Sequence, residues 1–122
     1  MAEIKKIYDL EERTARFGEQ VIRFAKKIPV NPVTARMIPQ LVAAATAVGA
    51  NYAEADDAES SKDFKHKLCI CKKEAREVKH WFRMVIAAVP DLETEARVLL
   101  QEARELHLIF NAIVHKVRAK AL

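Results

Sequence analysis

Residues Ser61 to Ala88 read SKDFKHKLCICKKEAREVKHWFRMVIAA, and the spacing of the apolar residues in this stretch decides the fold. Phe64, Leu68, Cys71, Ala75, Val78, Phe82, Val85 and, just beyond, Val89 recur every three or four positions. That is the 3.6-residue period that gathers side chains on one face of an α-helix. Ser60 with Asp63 three positions on has the form of an N-cap, and Pro90-Asp91 supplies both a stop and the next cap. The segment is predicted to be one helix over 61–88, about 42 Å long at 1.5 Å per residue.

The same period extends outward on both sides. Downstream, Leu92, Ala96, Leu99, Ala103, Leu106, Phe110, Ile113 and Val117 predict a helix over about 92–120. Upstream, Leu41, Ala45, Val48, Tyr52 and Ala55 form a stripe over about 35–56. Ala43, Ala44, Ala47, Gly49, Ala50 and Ala53 make nearly every other side of that segment small, which lets neighbouring backbones approach closely. Thr34 offers a cap, and Pro39 then implies either a distorted first turn, the preferred reading, or a regular helix that begins at Pro39. The first helix, about 10–28, carries Leu10, Phe17, Val21, Phe24 and Ile28 on one face. It opens at Asp9-Leu10-Glu11-Glu12, which has the capping-box form, and stops at Pro29 and Pro32. Residues 1–8 are read as a tail or short extension. Short connections make sequential neighbours antiparallel, so the expected fold is all-α, an up-down-up-down four-helix bundle forming a single domain over 1–122.

Composition agrees and excludes several functions. A chain of 122 residues, 51% hydrophobic and 31% charged, fits one soluble domain. Two Gly and four Pro are too few for a many-stranded β-protein or for the glycine-rich phosphate loops of nucleotide-binding enzymes. No apolar run approaches the roughly 18 residues of a membrane span, and Met1-Ala2-Glu3-Ile4-Lys5-Lys6 does not open like a signal peptide. A cytoplasmic protein with reduced cysteines and no membrane partner is expected. Lys and Arg number 21 against 17 Asp and Glu, a net charge of +4 and a pI near 9.2. Such a bias is compatible with nucleic acid or an acidic partner.

The side chains that could carry chemistry argue against an enzyme. Cys69 and Cys71 are two apart on a helix, so their thiols point about 200° away from each other and cannot share one metal. His66 adds only a surface pair with Cys69. Glu77-Val78-Lys79-His80 has the Glu-x-x-His spacing of di-iron bundles, but that site needs a second such pair. Arg104 and Ala112 stand three residues before His107 and His115, so the second pair is missing. No nucleophile lies on a strained turn beside a base. No catalytic residue, metal or cofactor is assigned.

Charge is segregated instead. Lys65, Lys72, Arg76, Lys79 and Arg83 fall within about 40° of one direction on the helical wheel of 61–88, away from Asp63, Glu74 and Glu77. They are the candidate nucleic-acid contacts, weighed against a merely solvated face. No aromatics are interleaved for stacking on bases. Another flank of the same helix carries Ile70, Glu74, Glu77 and Trp81, and the preceding helix has Gln40, Asn51 and Glu54 beside its core stripe. Paired with bases such as Lys73 and Arg76, these form either an internal polar network or a subunit contact. Leu108 faces away from the core stripe of its helix among Gln101, Arg104 and His115, a placement that also suits an interface.

Tyr8-Asp9-Leu10-Glu11-Glu12-Arg13-Thr14, Val48-Gly49-Ala50-Asn51-Tyr52-Ala53-Glu54-Ala55 and Lys73-Glu74-Ala75-Arg76-Glu77 with Trp81 occur in this order. Gln40-Leu41, Asp63-Phe64 and Cys71-Lys72-Lys73 accompany them. Together they resemble the bacterial four-helix-bundle family of proteins encoded in intervening sequences of 23S ribosomal RNA genes. The resemblance implies a ring-shaped homopentamer without established enzymatic activity. It also marks Gln40, Asn51, Glu54, Lys73, Glu74, Glu77 and Trp81 as family-motif or interface residues. A related branch, the accessory proteins of diversity-generating retroelements, works with a reverse transcriptase and RNA, which makes these the partners expected by analogy. The chain departs from the family at Leu41-Val42-Ala43-Ala44, where Leu-x-Arg-Ser is usual, at Ala47 for a usual serine and at His80 for a usual tyrosine. The loss of that arginine weakens the nucleic-acid expectation. The overall expectation is a non-enzymatic homo-oligomer with weak, sequence-tolerant RNA or DNA binding, and the alternative is a protein-interaction scaffold with no nucleic-acid role.

Overall fold

In the computed structural model, residues 9–121 are described, with side chains through 117. The tail expected over 1–8 lies outside the described residues. Four helices follow one another: α1 (Leu10–Ala25), α2 (Met37–Asp56), α3 (Ser61–Ala88) and α4 (Glu93–Ala121), with a 3-10 turn, Pro90–Leu92, between the last two. Each helix packs on its sequence neighbour, and α1 closes lightly on α4, which gives the expected up-down bundle.

The start of α3 is set by its sequence. Ser60 is extended, and its hydroxyl accepts the Asp63 amide at 3.1 Å, so one of the orphan N–H groups of the first turn is satisfied. Its end is equally local, because Pro90 cannot continue the hydrogen-bond ladder. Pro90 instead opens the 3-10 turn closed by the Leu92 amide on the Val89 carbonyl at 3.0 Å. Asp91 falls inside that turn rather than at the residue before α4, which begins at Glu93.

Three other helix-end expectations are corrected. Asp9 occupies the N-cap position of α1, but its φ and ψ of −99° and 23° are not extended and its side chain bonds no amide; a capping carboxylate needs the extended geometry. Glu12 pairs with Arg16 at 3.0 Å. Helix α1 ends at Ala25, three residues early, where the chain passes into a turn ahead of Pro29. The chain tightens through Lys27 N to Phe24 O (2.9 Å) and Ile28 N to Ala25 O (3.1 Å), and this turn still buries Ile28.

Thr34 does not cap α2. It is fully buried in the loop, where its hydroxyl donates to the Pro29 carbonyl and accepts the Asn31 amide at 3.0 Å. The Asn31 side chain accepts the amides of Val33 and Thr34. This turn delivers the chain to Met37. Pro39 then falls in the first helical turn, where its missing N–H has no intrahelical acceptor to lose.

The core is built around Phe17, Phe82 and Phe110, with Leu41, Leu68 and Leu106 also fully buried. Phe24 of α1 meets Phe82 of α3 across the bundle at a ring separation of 5.6 Å. The stripes of α1 and α3 are those expected, though Phe64 and Val89 are half-buried at the ends of α3 and Tyr52 is half-buried on α2. On α4 the buried residues include Leu100 and Val114, whereas Leu99, Ile113 and Val117 are half-buried. Because α4 packs far more on α3 than on α1, its buried face turns toward α3. The small residues of α2 do let α1 approach closely: a Cβ on Gly49 would stand 3.4 Å from the Thr14 backbone. Where α1 and α4 touch only lightly, Arg13 forks onto Glu102 with bonds of 2.8 and 2.7 Å. This bidentate, charge-assisted contact raises the proton affinity of the guanidinium further.

Candidate nucleic-acid interface

The flank of α3 that carries its basic stripe adjoins α4. There Arg76, Lys79 and Arg83 of α3 meet Arg97 and Arg104 of α4 around a groove of about 500 Å³, whose lining also includes His80, Ile86 and Leu100. The arrangement follows from an antiparallel pair joined at Pro90. Arg83 and Arg97 are each seven residues from that turn, and Arg76 and Arg104 are each fourteen. Two arginine pairs therefore face each other about 10.5 Å apart along the groove.

Little negative charge offsets them. Arg97 pairs with Glu93 on its own helix at 2.6 Å. Among the described residues, Arg76, Lys79, Arg83 and Arg104 have no carboxylate within ion-pair distance. The crowding is visible in the titrating groups. Lys79 has its proton affinity lowered by burial and then by the charges of Arg76 and Arg104. His107, whose Nδ1 lies 3.1 Å from the Lys79 ammonium, is lowered by burial and then by Lys79, Lys72 and Arg76. A concave, cationic site with unpaired guanidinium groups is suited to phosphate oxygens, which arginine can grip with two N–H donors at once.

Of the five stripe residues, three line the groove. Lys65 and Lys72 are half-buried toward the N-terminal end of α3 and lie outside the lining. Arg97 and Arg104 are the groove cations that the stripe alone misses. Their seven-residue spacing places them on one face of α4, and their mirror placement about Pro90 is a signal the sequence does contain.

The other flank is not gathered into one site. Gln40 is exposed at the start of α2. Asn51, about 16.5 Å further along the helix axis, is half-buried, and its side-chain amide donates to the Ala47 carbonyl of its own helix at 2.8 Å. Glu54 is exposed and pairs with Lys67. Lys73 and Glu77 are exposed. Glu74 is half-buried, with its carboxyl shifted up by burial and by Glu77. Trp81 is half-buried, edge-on to the His80 ring at 5.1 Å. Leu108 is 64% exposed, as expected, and so is Val98 at 68%. Cys71 is buried against the Val48 carbonyl, and burial pushes its thiol up to about 12, whereas Cys69 is half-buried. Among the described residues no three His, Cys, Asp or Glu side chains converge as metal ligands would.

The sequence profile of the 23S rRNA-intervening sequence proteins matches residues 6–113. The chain belongs to that family. The fold of this family member is shared by a solved structure, a protein of unknown function from the S23 ribosomal protein family of Bacteroides thetaiotaomicron VPI-5482. The two superpose with a TM-score of 0.78 at 24% identity, over 90% of this chain and 98% of the other. None of the curated proteins matches the chain. Among the described residues of this 23S rRNA-intervening sequence protein, no helix is long and apolar enough to cross a membrane.

Proposed function

We propose that the protein is a non-enzymatic, homo-oligomeric four-helix bundle whose α3/α4 groove binds the sugar-phosphate backbone of RNA or DNA. The observation that carries this reading is the convergence of five cationic side chains from two helices on one concave surface, four of them without an acidic partner among the described residues. Among the described residues the groove lining has no Phe, Tyr or Trp on which a base could stack, and backbone contacts carry little sequence information. Binding is therefore weak and sequence-tolerant. Fluorescence anisotropy with short labelled RNA and DNA duplexes should detect binding at about 50 mM salt that weakens steeply by about 200 mM. No binding at the lower salt would dismiss the reading.

Assembly is the second part of the proposal. Leu108 and Val98 stand exposed on α4, and the family resemblance implies a pentamer. Light scattering should give a mass several times 13.8 kDa; a persistent monomer at high concentration would contradict it. If assembly is found without nucleic-acid binding, a protein-interaction scaffold is the reading favoured by the same exposed residues.

A further inference from the structure

We propose that His107 makes phosphate binding in this groove proton-linked, because its Nδ1 holds the Lys79 ammonium 3.1 Å away in the α3/α4 seam and releases it toward the groove when protonated. The inference rests on the groove reading above and adds a regulatory element to it.

An ammonium has donors and no acceptor, so Lys79 donates to the Nδ1 lone pair and His107 carries its ring proton on Nε2. Both groups are half-buried. Among the described residues, the charges that lower the proton affinity of the ring are those of Lys79, Lys72 and Arg76 on α3, all positive, and Arg104 stands one turn earlier on the same helix as His107. Adding a proton at Nδ1 turns the contact into donor against donor and cation against cation. The Lys79 contact breaks, and the ammonium, already part of the groove lining, is left free for a phosphate oxygen. The reverse linkage follows from the same charges. A phosphodiester in the groove neutralises the cations that oppose protonation, so His107 gains proton affinity and binding takes up a proton from solvent.

The sign is fixed. Proton affinity at His107 is depressed in the free protein and rises in the complex, so affinity strengthens as the pH falls through the interval between the two values. A rise of about one unit corresponds to about tenfold once the pH lies below both values, and to a smaller factor between them. Backbone phosphodiesters do not titrate in this range, but His80 also lines the groove and must be separated from His107.

The test measures affinity for one short DNA duplex at about pH 7.5 and about pH 5.5 at constant ionic strength, with folding verified by circular dichroism at both. The parent protein should bind about three- to sixfold tighter at the lower pH. His107→Gln, which keeps a polar side chain that cannot take up the proton, should reduce the ratio to about twofold or less, and His80→Gln should keep most of it. In parallel, the His107 ring signal in proton NMR should titrate below the ordinary histidine range in the free protein and move up when the duplex is added. A full pH ratio in His107→Gln, or a His107 midpoint that the duplex leaves unchanged, would overturn the linkage while the groove reading stands. No duplex binding at either pH would remove the groove reading and the linkage with it.

Discussion

Phe82→Ala should lower the unfolding free energy by about 3–5 kcal/mol, the range for removing a fully buried aromatic side chain. Phe82 has no exposed surface, and its ring contacts Phe24 diagonally across the bundle. Helices on either side are held by their own stripes, so they cannot collapse fully into the space left behind. Against a total stability of about 5–15 kcal/mol for a domain of this kind, such a loss removes at least about a fifth of it. Urea denaturation gives the number, and Phe82→Leu, which refills much of the volume, should recover most of it. Trp81, the next residue, is half-buried on the outer flank, and Trp81→Ala should cost clearly less in the isolated subunit. Equal losses at the two positions would mean that the face of α3 has been assigned wrongly.

The second large effect is on binding. Replacing Arg76, Arg83 and Arg104 together by Glu turns three positive charges of the groove into negative ones, and duplex binding should disappear at about 100 mM salt. All three side chains are exposed, and exposed positions away from structural contacts usually change stability by about 0.5 kcal/mol or less. Helicity and oligomer mass should therefore be unchanged. Lys65→Glu, on the same helix but outside the groove, serves as the comparison and should weaken binding only slightly. A uniform dependence on net charge would instead give Lys65 the same weight as each arginine.

The contrast between Lys65 and Arg104 shows what the sequence makes legible. Helix α3, its Ser60 cap, its Pro90 stop and its buried stripe are local matters of periodicity and capping, and they read directly from the residues. Asp9 and Thr34 have suitable capping chemistry in the wrong backbone context: one is not extended, and the other is consumed by a buried loop turn. The face of α4 depends on which neighbour it packs against, so the choice between Leu99 and Leu100 lies in tertiary structure. The groove has the same character. Its α3 half is a stripe on one helix, but Arg97 and Arg104 join it only through the antiparallel packing across the Pro90 turn. Gln40, Asn51 and Glu54 show the converse: they share a motif order along the chain, yet the helix separates Gln40 from Asn51 and engages Asn51 and Glu54 with other partners.

The salt dependence of duplex DNA binding separates a phosphate-binding groove from a merely solvated face. Each phosphate neutralised contributes a slope of about −0.9 to the plot of log affinity against log salt. Three arginines with no ion-pair partner among the described residues line the groove, while Arg97 is tied to Glu93 and Lys79 to His107. One groove on one duplex should thus give a slope between about −2.7 and −4.5, nearly the same for unrelated base sequences. A slope near zero, or a parental slope that survives in the Arg76, Arg83 and Arg104 triple variant, would contradict the assignment of this groove as the phosphate-binding surface.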